Sequence, residues 1–104
     1  MAKHHYFMRL IPPRSTFPGD MTGEERALMM EHVKYMNEIF ASGKLLIFGP
    51  VMAPEAAFGM AVFEVGDETE LREIMEKDPT VRAGLNKFDF HPMKVGAAQG
   101  SRPE

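Results

Sequence analysis

Residues 22–43 read TGEERALMMEHVKYMNEIFASG, and this stretch decides the fold. Thr22 has the chemistry of a helix N-cap, and Glu25 three residues later completes a capping box, each side chain serving the other residue's backbone N–H. Leu28, Met29, Val33, Met36, Ile39 and Phe40 recur with helical spacing, so one face of this long helix is apolar. Gly43 is the residue type that closes a last turn at C′. His32 follows Leu28 by one turn and precedes Met36 by one turn, which sets an imidazole on the face that packs inward.

Upstream, His4 to Ile11 alternates loosely and carries Tyr6, Phe7, Leu10 and Ile11, the pattern of a strand. Pro12-Pro13 stops it, because neither residue donates to a ladder. Arg14 to Met21, with Pro18-Gly19-Asp20, reads as a loop. Downstream, Lys44 to Phe48 is a short apolar strand closed by Gly49-Pro50, and Phe58 to Val65 is a second strand turned by Gly66-Asp67. Asp67 with Glu70 resembles another capping box. Leu71, Ile74 and Met75 then give one buried face to a helix that ends near Asp78, since a residue before proline avoids the helical region. Thr80 to Gly84 forms one further helical turn. A last strand lies within Leu85 to Val95 around Phe88, Phe90 and Met93, interrupted at Pro92.

The order strand, helix, strand, strand, helix, strand predicts an α+β, ferredoxin-like βαββαβ domain. Such a domain has a four-stranded antiparallel sheet with both helices on one face. The domain is expected over residues 1–96, with a polar, flexible tail over 97–104. A sheet face bearing Phe and Val residues and left bare of helices exposes much apolar surface, so a homodimer joined through the bare faces is expected.

Composition excludes several functions. The chain has 104 residues, enough for one domain with one core. Its net charge of −3 comes without any run of Lys or Arg, so neither nucleic acid nor an anionic membrane is an expected partner. No apolar stretch approaches the roughly 18 residues of a membrane span. The start, Met-Ala-Lys-His-His, lacks the apolar block of a signal peptide, and a cytoplasmic location is the expectation. The absence of cysteine rules out disulfides, thiolate nucleophiles and Cys-based zinc sites. His4 and His5 point to opposite faces of a strand and cannot chelate together, so no metal site is expected. The ten methionines fit either core filler or an adaptable pocket.

A set of short pieces, in order, resembles the YciI-like (YCII-related) family. They are Pro12-Pro13-Arg14-Ser15-Thr16-Phe17, Glu31-His32 with Tyr35, Gly43-Lys44-Leu45, and Phe48-Gly49-Pro50-Val51. Gly59, Asp78-Pro79 with Gly84-Leu85, and His91-Pro92-Met93 complete the set. The resemblance implies a dimeric α+β barrel in which two ferredoxin-like sheets pack face to face, with a cavity holding a His-Asp pair, here His32 and Asp78. It also implies kinship with a dechlorinating enzyme of chlorinated hydroxyquinol-type aromatics and with muconolactone isomerases, monooxygenases and haem-handling proteins of the same fold. One segment departs from the family: Ala53-Pro54-Glu55-Ala56-Ala57 stands where relatives often carry Asp-Pro followed by Gly.

Two readings attach to each candidate. His32 is either a buried imidazole bonded to a carbonyl or a general base whose tautomer a carboxylate fixes. Asp78 before Pro79 is a good helix N-cap, and its second oxygen leaves it free to orient a histidine as well. Arg14 is a solvated loop cation or a clamp for an anionic substrate. Tyr35 either covers the helix edge or bonds a ligand, and His91 is an edge residue or a second pocket group. The leading expectation is a small homodimeric enzyme doing cofactor-free acid–base chemistry on a small anionic, aromatic or lactone-like metabolite, with His32 and Asp78 catalytic and Arg14, Tyr35 and His91 binding substrate. A binding or sensor module with the same cavity is the alternative, and haem ligation by His32 or His91 a weaker third.

Overall fold

The computed structural model describes residues 3–100. Strand β1 (His4–Ile11) leads through the proline-rich loop to helix α1 (Gly23–Ala41). Strands β2 (Leu45–Val51) and β3 (Phe58–Val65) follow, then helix α2 (Glu68–Glu76), the single turn α3 (Pro79–Arg82) and strand β4 (Lys87–Met93). The capping box that opens α1 is present in both directions: Glu25 N donates to Thr22 Oγ1 at 3.1 Å, and Thr22 N donates to Glu25 Oε1 at 2.9 Å. Gly43 at φ +86° closes the helix in the left-handed region, where a side chain is strained. In α2 only half the box forms. Asp67 accepts from Glu70 N, while the Glu70 carboxylate takes the N–H of Gly66 instead of that of Asp67.

The four strands make one antiparallel sheet in the order β2-β3-β1-β4, with the α+β, ferredoxin-like topology. Because side chains alternate along a strand, the register sorts them into two layers. Tyr6, Met8 and Leu10 stand beside Phe63, Ala61 and Gly59 on the side where Met36 of α1 and Leu71, Ile74 and Met75 of α2 close the core. Their neighbours Phe7 and Arg9, with Val62, Met60, Asp89 and His91, lie on the other side, which neither helix covers.

Three details differ from the sequence reading. Val33 and Phe40 are 47% and 48% exposed, because the apolar stripe of α1 is wider than the surface it meets; only His32 and Met36 of that helix are buried. Strand β2 continues through Gly49-Pro50 to Val51, and β4 runs through Pro92 to Met93. Both are outer strands, so a proline's missing N–H there leaves no neighbouring ladder broken. Residues 97–100 belong to no helix or strand, and the rest of the expected tail, 101–104, lies outside the described residues.

Candidate active site

A cavity of about 200 Å³ opens between α1 and the helix-covered side of the sheet. Its walls are apolar, with Met8 and Leu10 from β1, Phe48 from β2, and Phe17 and Pro18 from the loop before α1. Met8 and Met36, both core residues, and Met29 and Met52 are among its lining methionines, so the thioethers serve core and pocket alike. The exposed side chains of Val33 and Met52 belong to its rim. Only two of the lining residues have polar side chains, His32 and Asn86.

His32 is held from behind. Asp78 is fully buried, and its Oδ2 lies 2.5 Å from His32 Nδ1. Its Oδ1 caps α3, accepting from Thr80 N at 2.8 Å and from the Thr80 hydroxyl at 2.6 Å. Pro79 at the first helical position needs no donor, so the Asp-Pro start satisfies the local helix and spares one oxygen for the imidazole. Thus one carboxylate does both jobs that the sequence allowed. Burial by itself pushes the Asp78 carboxyl up, but the hydrogen bonds from His32 and Thr80 and the His32 charge outweigh it and hold the group below the usual carboxylate range. An ionised Asp78 accepts the Nδ1 proton, which leaves the lone pair of a neutral ring on Nε2. No described residue bonds to Nε2, and the ring itself forms cavity wall.

A depressed carboxyl also sets a pH dependence. Asp78 contributes stability above its unfolded-state pKa and loses it as pH falls through the lower folded value. Denaturant midpoints measured from pH 6 downward are expected to drop below pH 4, and to drop less in Asp78→Asn.

The other expected site residues fall elsewhere. Arg14 does not line the cavity: its guanidinium donates to Asp20 at 3.0 Å and to Glu25 at 2.7 and 2.9 Å, and it lies over the Phe17 ring. These contacts hold Glu25 down at about 2 and brace the loop that brings Phe17 and Pro18 to the cavity wall. The cation therefore acts as a strut, because two carboxylates occupy it. The Tyr35 hydroxyl donates to Ile74 O at 2.7 Å, tying α1 to α2 away from the cavity lining; burial pushes its pKa up, assisted by the Asp78 and Glu38 charges. His91 pairs in register with Phe7, exposed on the sheet side opposite the cavity, because its parity along β4 differs from that of Phe88 and Phe90. Among the described residues no group of His, Asp and Glu is arranged to hold a metal ion.

Asn86 is the residue the sequence reading missed. It follows Gly84-Leu85 in the link from α3 to β4, where its backbone N–H donates to Thr80 O at 3.2 Å. Nothing in the sequence distinguishes it from any polar residue after a helix. Only the fold carries it beneath α1, where it is 3% exposed and lines the same cavity as His32.

The chain matches the YCII-related domain over residues 6–94. Among solved structures it is similar to 5-chloro-2-hydroxyhydroquinone dehydrochlorinase from Burkholderia phenoliruptrix, in complex with 2,5-dihydroxybenzoquinone. That likeness has a TM-score of 0.66 at 20% identity and covers 88% of this chain and 95% of the other. No curated protein matches in sequence. No helix among the described residues is long and apolar enough to cross a membrane.

Proposed function

This chain belongs to the YCII-related family, and on that premise we propose that it is a cytoplasmic, cofactor-free acid–base enzyme in which His32 moves the proton and Asp78 orients the ring. The observation that carries this reading is the 2.5 Å contact between His32 Nδ1 and a buried carboxylate, with Nε2 left to an apolar cavity. A neutral imidazole fixed in one tautomer is a competent general base, and the dry walls strengthen each electrostatic contact it makes. The cavity suits one substituted six-membered ring, since a void of about 150 Å³ already takes benzene. The similar dehydrochlorinase acts on such a ring, so elimination of hydrogen chloride from a chlorinated hydroxyhydroquinone is the first reaction to test. Chloride release from 5-chloro-2-hydroxyhydroquinone, followed with an ion-selective electrode, is expected to exceed the spontaneous rate; a rate equal to the protein-free control sinks this substrate assignment. The anionic substrate expected from the sequence loses its support, because Arg14 is committed to Asp20 and Glu25.

A specific observation favours the second reading, ligand binding without turnover. His32 is the one titratable side chain among the lining residues, so donor and acceptor of the proton must be the same group. Recovery of unaltered ligand after prolonged incubation identifies a binder. Self-association through the helix-free side of the sheet is also proposed. Phe7, Met60 and Val62 sit there beside the Arg9–Asp89 and His5–Glu64 pairs, a mixture of apolar area and both charge signs that suits a second copy. Light scattering is expected to give twice the chain mass.

A further inference from the structure

We propose that Asn86 is the second polar contact of the cavity, and that it selects an uncharged ligand carrying a hydroxyl. This deepens the reading of the cavity as a substrate site and rests on it. The Asn86 side-chain oxygen is buried and has no hydrogen-bond partner among the described residues. Such an orphan is rare in folded proteins, because an acceptor stripped of water and given nothing in return is costly to bury. The amide's other end donates only to Met29 Sδ at 3.5 Å. A thioether is a weak acceptor on a flexible side chain, and the terminal amide torsion is soft, so the group is lightly held and adjusts when a better partner arrives. Met29 lines the same cavity. A ligand hydroxyl entering there satisfies the oxygen that the fold leaves unpaired.

The charge preference follows from the same walls. No Lys, Arg, Asp or Glu side chain lines the cavity. Behind His32 stands the Asp78 carboxylate, so the pair carries a net charge of zero or minus one and never attracts an anion as a bare cation does. A carboxylate drawn into this space surrenders its hydration and meets no compensating charge. A neutral ring with one donor loses little water and gains the amide.

The test is protein-observed NMR of the methionine methyls, titrated at pH 7 with phenol, toluene and benzoate. Wild-type protein is expected to bind phenol roughly tenfold more tightly than toluene, the scale of one hydrogen bond to a buried acceptor, and benzoate more weakly than either. Asn86→Leu, which keeps the volume, is expected to bind phenol no better than toluene. Equal binding of phenol and toluene by the wild type overturns the proposal without any variant, as does benzoate binding as tightly as phenol. A phenol preference that survives Asn86→Leu but vanishes in His32→Phe assigns the hydroxyl to the imidazole and also overturns it. These readouts need no turnover. An enzyme reading that fails on rates is therefore told apart from an Asn86 assignment that fails on affinities.

Discussion

Replacing Asp78 by alanine is expected to destabilise the fold by roughly 3–5 kcal/mol, the range found when one partner of a buried ionic pair is removed. Three buried donors lose their acceptor together: the His32 Nδ1–H, the Thr80 N–H and the Thr80 hydroxyl. Thr80 and Asp78 are both completely buried, so water cannot step in without opening the link between α1 and α3. The loss of an N-cap alone costs about 1 kcal/mol; the remainder is the desolvation of groups left unpaired. For a chain of this size, total stability is on the order of 5–15 kcal/mol, so the substitution removes a large share of it. Urea denaturation measures the difference directly. A loss below about 1 kcal/mol means that the buried contacts around Asp78 do not hold the fold as described. Asp78→Asn separates the roles: its amide oxygen still caps α3, and only the bond to the imidazole changes character.

The second large effect is on rate. With the first substrate that turns over, His32→Gln is expected to reduce kcat by about 10²–10⁴-fold, the usual contribution of a positioned general base. Glutamine retains length and a hydrogen-bonding end for Asp78 but cannot take up a proton near neutral pH. Asp78→Asn is expected to fall in a similar range for a different reason. An amide N–H facing Nδ1 stabilises the tautomer with the proton on Nε2, so the cavity meets a donor where it needs an acceptor. Ring ¹⁵N shifts of the neutral His32 report which nitrogen is protonated. If Asp78→Asn retains the wild-type tautomer and the wild-type kcat, the carboxylate is a helix cap with no share in the chemistry.

Much of this arrangement is legible in the chain because its cues are local. Thr22 and Glu25 announce a capping box that forms in both directions, and the four-residue spacing of Leu28, His32 and Met36 fixes the imidazole's inward direction. The Asp78-Pro79 pair marks a helix start wherever it occurs, so the cap was foreseeable, and the carboxylate's spare oxygen made the His32 contact possible. The failures are tertiary. Arg14 is six residues from Asp20 and eleven from Glu25, and only the folded loop makes both of them its partners. His91 misses the cavity by the parity of one strand position, which the register with β1 decides and the apolar pattern of β4 leaves open. Val33 and Phe40 share the periodicity of buried residues, yet periodicity gives the direction of a face and not the width of what covers it. Asn86 had no local signal, since an asparagine two residues past a glycine reads equally well as a turn residue.

The two outer strands each interrupt their own donor row with an imino acid, Pro50 in β2 and Pro92 in β4. A third chain seeking to prolong the sheet sideways finds a gap at both margins, where an incoming carbonyl meets ring carbon instead of a proton. Growth into ribbons is thereby discouraged at both ends of the sheet. The face-to-face contact proposed above uses neither margin, and a pair formed that way is closed.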